Sequence, residues 1–393
     1  MQRMDAESAG GTPAFSFRAL TRLVAGAGSI KQLGQLAAEL GGSRVLVVSD
    51  PGVIAVGHTQ LGIDALEAAG CTTAVFRDFS ENPTTTQVEA GAATAHEFTP
   101  DLIVGLGGGS SMDCAKGINF LFCCGGRMQD YRGRAATGRP LLPAIGCPTT
   151  AGTGSETQSF ALISDAQTGE KLACGDPHAA FRVAILDPCL TLTQPARVAA
   201  LTGIDAVSHA LESHVSTAAT PASQVFSREA WRLLSQHLPR VLAGTTDIET
   251  RAAVQLGAAW AGLAIENAML GAAHATANPL TATHHVAHGL AVGLMLPHII
   301  RYNAEAAAPG YAELATLAGL TTEPPAAALA RWVEGLLEQA GLPRTLSAAI
   351  GPASQGLTID HLATAAASQW TGSFNPRPCS PAELAALYRQ ADR

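Results

Sequence analysis

The feature of this 393-residue sequence that most constrains its fold is a change of texture near residue 195. Before it, short runs rich in β-branched and aliphatic residues alternate with amphipathic helical stretches. Residues 45–49, 73–76, 102–105, 142–145, 159–163 and 183–186 read as strands, and 59–69 and 86–98 as helices between them. Such alternation calls for a parallel sheet, because parallel neighbours need a long crossover and the usual crossover is a helix. After Pro195 the strand signals nearly vanish, and the alanine-rich stretches 197–215, 224–237 and 247–270 carry a helical period instead. The expectation is an α/β domain over 1–195 and an all-helical domain over 196–393. Turn punctuation at 323–325 and 375–378 interrupts the second half, without a repeat or a linker. One hydrophobic core rarely serves a chain of this length.

Composition narrows the partners. Hydrophobic residues make up 47% of the chain and aromatics 5%, a balance that suits close-packed helices and a buried parallel sheet. The net charge is −8 and the 24 basic residues are scattered, so no nucleic acid or anionic membrane is an expected partner, and a small molecule is. The apolar stretch 289–300 is cut by Pro297 and His298 and falls short of the roughly 20 residues of a membrane span. Residues 1–13 are polar and read as a loose arm without an apolar signal core, which makes the cytoplasm the expected location. The eight cysteines include no CxxC and are expected as free, packed thiols.

Residues 101–116, DLIVGLGGGSSMDCAK, read as a buried strand, a triple-glycine turn and a helix start. Gly107, Gly108 and Gly109 permit close backbone approach, and Ser110 with the free amides of the following helix offers donors to a diphosphate. Asp50 ends the strand 45–49, where a carboxylate accepts from the ribose hydroxyls of an adenosine and repels a 2′-phosphate, favouring NAD over NADP. The same residue in Ser-Asp-Pro-Gly also suits an ordinary turn. A second glycine loop, Pro148-Thr-Thr-Ala-Gly-Thr-Gly-Ser-Glu156, follows another strand and is placed to close over the nicotinamide side. Lys171 is a candidate for a phosphate or ribose, or a solvated turn lysine.

In the second half, Asp205 and His209 are four residues apart and share one helix face. His274 lies in an alanine-rich helix, and His288 precedes another apolar run. Each histidine alone is equally at home as a core imidazole bonded to backbone. Together, three imidazoles and a carboxylate suit Fe(II) or Zn(II), with coordination positions left for a substrate oxygen.

These motifs, with Gly26–Ile30, Leu186-Asp-Pro188, Gly203–Glu212, His274–Pro297 and Asn375-Pro-Arg377, run in an order and spacing that resembles the iron-containing, or group III, alcohol dehydrogenases nearly end to end. The resemblance implies a Rossmann-like dinucleotide domain, an all-helical domain and an active site in the cleft between them, the fold shared with dehydroquinate synthase. It carries metal ligation onto Asp205, His209, His274 and His288. NAD contacts fall on Asp50, Gly107, Gly108, Gly109, Ser110, Asp113, Thr149, Thr150 and Ser155. A homodimer is the family's default. One departure stands out: many members have a further histidine where this chain has Asn278, and asparagine cannot relay protons at neutral pH. The expectation is that bound water or the cofactor ribose carries the proton, with Asn278 positioning it beside His288 and the metal.

The implied activity is hydride transfer between NAD(H) and a small alcohol or aldehyde. A cyclase of the dehydroquinate synthase type would need basic residues for a phosphorylated substrate, and a maleylacetate-type reductase or transhydrogenase would need an arginine clamp for an oxoacid. The motifs around His209, His274 and His288 are nearly free of basic residues until Arg301. A non-catalytic binding protein would not need all four ligands.

Overall fold

The computed structural model describes residues 14–134, 137–351 and 358–393; the arm expected over residues 1–13 lies outside them. The first elements are β1 (Arg22–Ala25), α1 (Leu33–Glu39), β2 (Arg44–Val48), α2 (Pro51–Ala55), α3 (His58–Ala68), β3 (Thr72–Phe76), α4 (Thr85–Phe98), β4 (Leu102–Gly107) and α5 (Gly109–Cys124). After them come β5 (Gly133–Arg134), β6 (Ala144–Pro148), β7 (Phe160–Ser164), β8 (Lys171–Gly175) and β9 (Val183–Leu186). Six strands form one parallel sheet in the order β1-β9-β6-β4-β2-β3.

Strands β4, β6 and β9 are buried along their whole length, as sheets covered on both faces require. Alternation sorts their side chains into two cores. Along β2 and β4, Val45, Val47, Leu102, Val104 and Leu106 pack on one face, while Leu46, Val48 and Ile103 pack on the other. The chain runs from β2 out to β3 and then returns to β4 on the opposite side of β2, so the strand order reverses between β2 and β4. Crevices outside the carboxyl ends of strands at such a reversal are where open α/β sheets bind ligands.

Two expectations shift for identifiable reasons. The strand expected over 142–145 begins at Ala144, because the side-chain amide of Asn119 engages both the N–H and the C=O of Leu142. The strand expected over 159–163 leaves the main sheet and pairs antiparallel with β8, in a small sheet of order β5-β8-β7. Neither the short edge strand β1 nor β8 stood out in the sequence.

From Ala196 onward every regular element among the described residues is a helix. The elements are α6 (Ala196–Val215), α7 (Pro221–Leu242), α8 (Ile248–Ala268), α9 (Ala272–His284), α10 (His288–Tyr302), α11 (Ala308–Leu317), α12 (Pro325–Gln339), α13 (Leu346–Ile350), α14 (Ile359–Ala367) and α15 (Pro381–Ala391). They share one core, with Trp231 fully buried and its indole N–H donating to Leu314 O at 2.7 Å. Glycines let certain helices touch. A Cβ at Gly289 would lie 2.1 Å from Leu201 O, and one at Gly293 would lie 2.9 Å from Ile204 Cγ2, so α10 seats directly on α6. No helix among the described residues is long and apolar enough to cross a membrane.

Candidate active site

Register places the ends of β2, β4 and β6 along one edge of the sheet, since Val48 aligns with Gly105 and Gly107 with Pro148. Asp50, the triple-glycine turn and the 148–156 loop therefore converge. The Asp50 carboxylate caps α2, with Oδ1 accepting from Gly52 N at 3.0 Å and Val53 N at 3.2 Å. Its Oδ2 accepts from Ser111 Oγ at 3.1 Å, bridging the reversal between β2 and β4. Gly107 has φ 151, and a Cβ there would sit 2.2 Å from Ser111 Oγ and 3.0 Å from Asp50 Oδ2. No side chain caps the start of α5, so its first amides face the turn. Ser110 Oγ accepts from Asn82 N at 3.1 Å, which leaves its own proton to donate.

The second glycine loop is clamped between the two halves. Thr149 N donates to Gly107 O at 2.9 Å, and Gln255 Nε2 on α8 donates to Pro148 O at 3.2 Å. A Cβ at Gly152 would lie 2.2 Å from Thr202 O on α6, and one at Gly154 2.7 Å from Gly262 Cα on α8. Thr150 borders the turn, at 3.4 Å from the Cβ position of Gly108. Ser155 Oγ donates to Asp113 Oδ1 at 2.7 Å, so these two expected cofactor residues hold each other. Beneath them Lys116 Nζ donates to the carbonyls of Ser155, Gln158 and Phe160 at 2.7, 2.8 and 2.8 Å. Burial brings Lys116 down to about 8, against the pull of Asp113, Glu266 and Glu156. Burial also pushes the Asp113 carboxyl up, opposed by Lys116.

On the helical side Asp205 and His209 project from α6, His274 from the first turn of α9 and His288 from the first residue of α10. Asp205 Oδ1 lies 3.4 Å from Nε2 of both His209 and His274, and 3.8 Å from Nε2 of His288. The imidazoles of His209 and His274 stack at 5.0 Å, and those of His274 and His288 approach to 5.3 Å. Asp205, His209 and His274 are buried, and each offers a ligand atom within 4.8 Å of the others. Asp205 Oδ1 and His274 Nε2 are buried without a hydrogen-bond partner. Buried polar atoms normally have one, and a nitrogen–oxygen donor set of this composition fits a divalent first-row cation. Burial alone would push Asp205 up, but the facing imidazoles hold it well below the usual carboxylate range. The His288 side chain is 23% exposed and forms the rim of the cluster.

Two residues of the quoted motifs have contacts that their sequence position alone did not assign. Glu212 accepts from His274 Nδ1 at 2.5 Å and from Ala273 N at 2.7 Å. Its offsets of seven from Asp205 and three from His209 put it on their helix face, a signal present in the sequence. Lys171, on β8, is within electrostatic reach of both Asp205 and His288, and burial lowers its pKa. The three metal motifs themselves are nearly free of basic residues, and this cation comes from β8 of the first domain instead. Asn278, one turn beyond His274, donates to Gln369 Oε1 at 3.0 Å. Of the neighbouring histidines, His285 is exposed and ends α9 at φ 54.

A glycine-lined parallel sheet joined to a helical body, with a buried aspartate–histidine cluster able to hold a metal ion, defines a two-domain protein of the α/β-plus-helical class. The chain belongs to the iron-containing alcohol dehydrogenase family: residues 21–188 match "Iron-containing alcohol dehydrogenase", and residues 199–391 match "Fe-containing alcohol dehydrogenase family, C-terminal". It is 32% identical over 376 residues to the NAD-dependent methanol dehydrogenase of Bacillus methanolicus, covering 94% of this chain and 97% of that one. The crystal structure of a 1,3-propanediol oxidoreductase superposes with a TM-score of 0.89 at 31% identity, over 94% of this chain and 97% of the other. The sulfoacetaldehyde reductase of Bifidobacterium kashiwanohense, in complex with NAD+, superposes at 0.86 with 28% identity, over 96% and 99%. Membership identifies the chain as an oxidoreductase of this family, with Asp205, His209 and His274 placed to hold a metal ion.

Proposed function

We propose that this protein is an alcohol dehydrogenase, and in reverse an aldehyde reductase, that moves hydride between a small alcohol or carbonyl compound and NAD(H). The observation that carries this reading is the buried, unpartnered Asp205 Oδ1, faced by imidazole nitrogens at 3.4 Å from two other helical positions. In it, Asp205, His209, His274 and His288 hold a divalent cation. Fe(II) is the first choice and Zn(II) the second, because both accept this ligand set. When bound, the cation supplies Lewis acidity that makes an alcohol easier to deprotonate, and NAD supplies the hydride acceptor.

The chain's own residues provide the setting. Asp50 receives the adenosine ribose while capping α2. Gly107, Gly108, Gly109 and the open amides of α5 cradle the diphosphate, with Ser110 donating. Thr149, Thr150 and Ser155 line the nicotinamide side, Asp113 steadies Ser155, and Lys171 reaches a ribose or phosphate. Asn278, oriented by Gln369, positions the proton-carrying group without titrating itself. The domain division falls at residue 195, before α6. A cytoplasmic homodimer completes the reading: free cysteines fit a reducing compartment, and twofold dimers are the commonest closed assembly.

A second reading, an oxoacid-linked reductase of the maleylacetate type or a transhydrogenase, is favoured by Lys171. Its charge is felt at Asp205, where an acidic substrate would need a counter-ion. The deciding experiment is NADH oxidation by metal-stripped protein before and after anaerobic addition of Fe(II) or Zn(II). The panel spans small aldehydes, ketones, oxoacids and sulfonated aldehydes. Metal-dependent reduction of neutral aldehydes supports the first reading, and strong preference for the acidic ones supports the second. If NADH binds yet no carbonyl compound is reduced with either metal, both fall.

A further inference from the structure

We infer that Glu212 is a positioning residue of the metal centre, setting the tautomer and the aim of His274. The inference rests on the metal reading above. Glu212 is 5% exposed, and its two oxygens do two jobs. Oε2 accepts from His274 Nδ1 at 2.5 Å, and Oε1 accepts from Ala273 N at 2.7 Å. A carboxylate only accepts, so the proton of a neutral His274 resides on Nδ1 and the lone pair on Nε2, the nitrogen that faces Asp205 Oδ1 at 3.4 Å. With the opposite tautomer, an N–H would point into the centre in place of a lone pair.

The second contact fixes the backbone beneath that ring. Gly271, the residue before α9, makes no side-chain cap, so the first amides of the helix depend on neighbours. Glu212 takes Ala273 N, and Asn375 Oδ1 takes Ala272 N at 3.2 Å. Asn375 is itself held by reciprocal amide bonds with Asn303 at 2.9 and 2.8 Å. A Cβ at Gly271 would lie 2.9 Å from Glu212 Oε1 and 3.0 Å from Asn375 Oδ1, so glycine is what leaves room for this grip. One face of α6 thus supplies Asp205 and His209 as ligands and braces the helix that supplies His274. Partners of this kind orient metal-bound imidazoles and raise their basicity.

The test is Glu212→Gln, nearly isosteric but unable to accept from both His274 and Ala273 without turning an N–H2 toward one of them. Metal-stripped protein is titrated with Zn(II) against a competing chelator, and the Co(II)-loaded protein is examined for its visible absorption bands. Metal affinity should fall about 10- to 100-fold with a shifted cobalt spectrum, while NADH affinity of the metal-free protein stays within about twofold. Wild-type zinc affinity and cobalt bands in Glu212→Gln, with binding lost in Asp205→Ala, overturn the role of Glu212 alone. Wild-type affinity in Asp205→Ala as well overturns the metal centre itself. Should Glu212→Gln fail to fold, Glu212→Asp decides by the same two readings: weaker zinc binding and shifted bands support the inference, and wild-type values overturn it.

Discussion

The ammonium of Lys116 donates to the Ser155 carbonyl at 2.7 Å and to the Ser155 hydroxyl at 3.0 Å, so the helix that follows one glycine turn holds the other glycine loop in place. With Gln158 and Phe160 also on the same nitrogen, one buried side chain holds the end of the second glycine loop and the start of β7.

Replacing Lys116 with Met keeps the bulk and removes every one of these bonds. The expected loss is about 3 to 5 kcal/mol of stability, the range for breaking a buried charged interaction from one side. NADH affinity should weaken at least about tenfold (1.4 kcal/mol). Urea denaturation and a fluorescence titration measure the two. Wild-type values in both would mean the loop stands without its pin.

Asp50→Asn separates two roles of one carboxylate. Asparagine caps as well as aspartate, so stability should change by only a few tenths of a kcal/mol. Discrimination against NADPH should fall at least about tenfold, because the charge that repels a 2′-phosphate is gone. The ratio of kcat/KM for NADH and NADPH reads this out; an unchanged ratio would confine Asp50 to capping α2.

Burial pushes the Glu156 carboxyl up from 4.5 to about 7. The folded state therefore binds more protons than the unfolded state between those values, and stability falls as pH rises through that window. Glu156→Gln removes the titration. The variant should gain little at the acid end and gain most above pH 7, seen as urea midpoints that diverge with pH. Parallel curves would show that Glu156 is not the titrating group.

Asn278→His places an imidazole one turn beyond His274. Turnover should rise severalfold, and the pH–rate profile should acquire a pKa between about 6 and 8, the range of imidazole. A profile identical to that of the wild type would show that the proton travels by a route independent of this position.

The glycine turn at 107–109 was legible because a buried apolar run, glycines and a helix start are all local signals. So was the Asp205–His209 pair, whose spacing alone puts both on one helix face. The strand at 159–163 was legible too, but its antiparallel pairing with β8 was not, because which strand a segment joins depends on residues distant in the sequence. Lys171 was legible as a candidate for a phosphate or ribose, but its electrostatic reach to Asp205 and His288 depends on where the β7–β8 hairpin folds.

By itself, the sequence determined the division into a parallel sheet and a helical body, the turns that present backbone amides, and the side chains able to bind a cation. These follow from period, turn chemistry and residue type within short windows. Tertiary structure alone decided that His288 meets Asp205, that Glu212 braces His274, and that Lys116 pins the loop of Ser155. Those meetings depend on how closely helices and loops approach, which glycines at 152, 154, 271, 289 and 293 permit because a Cβ there would collide with the partner segment. Close packing is a property of two surfaces together, and neither segment records it alone.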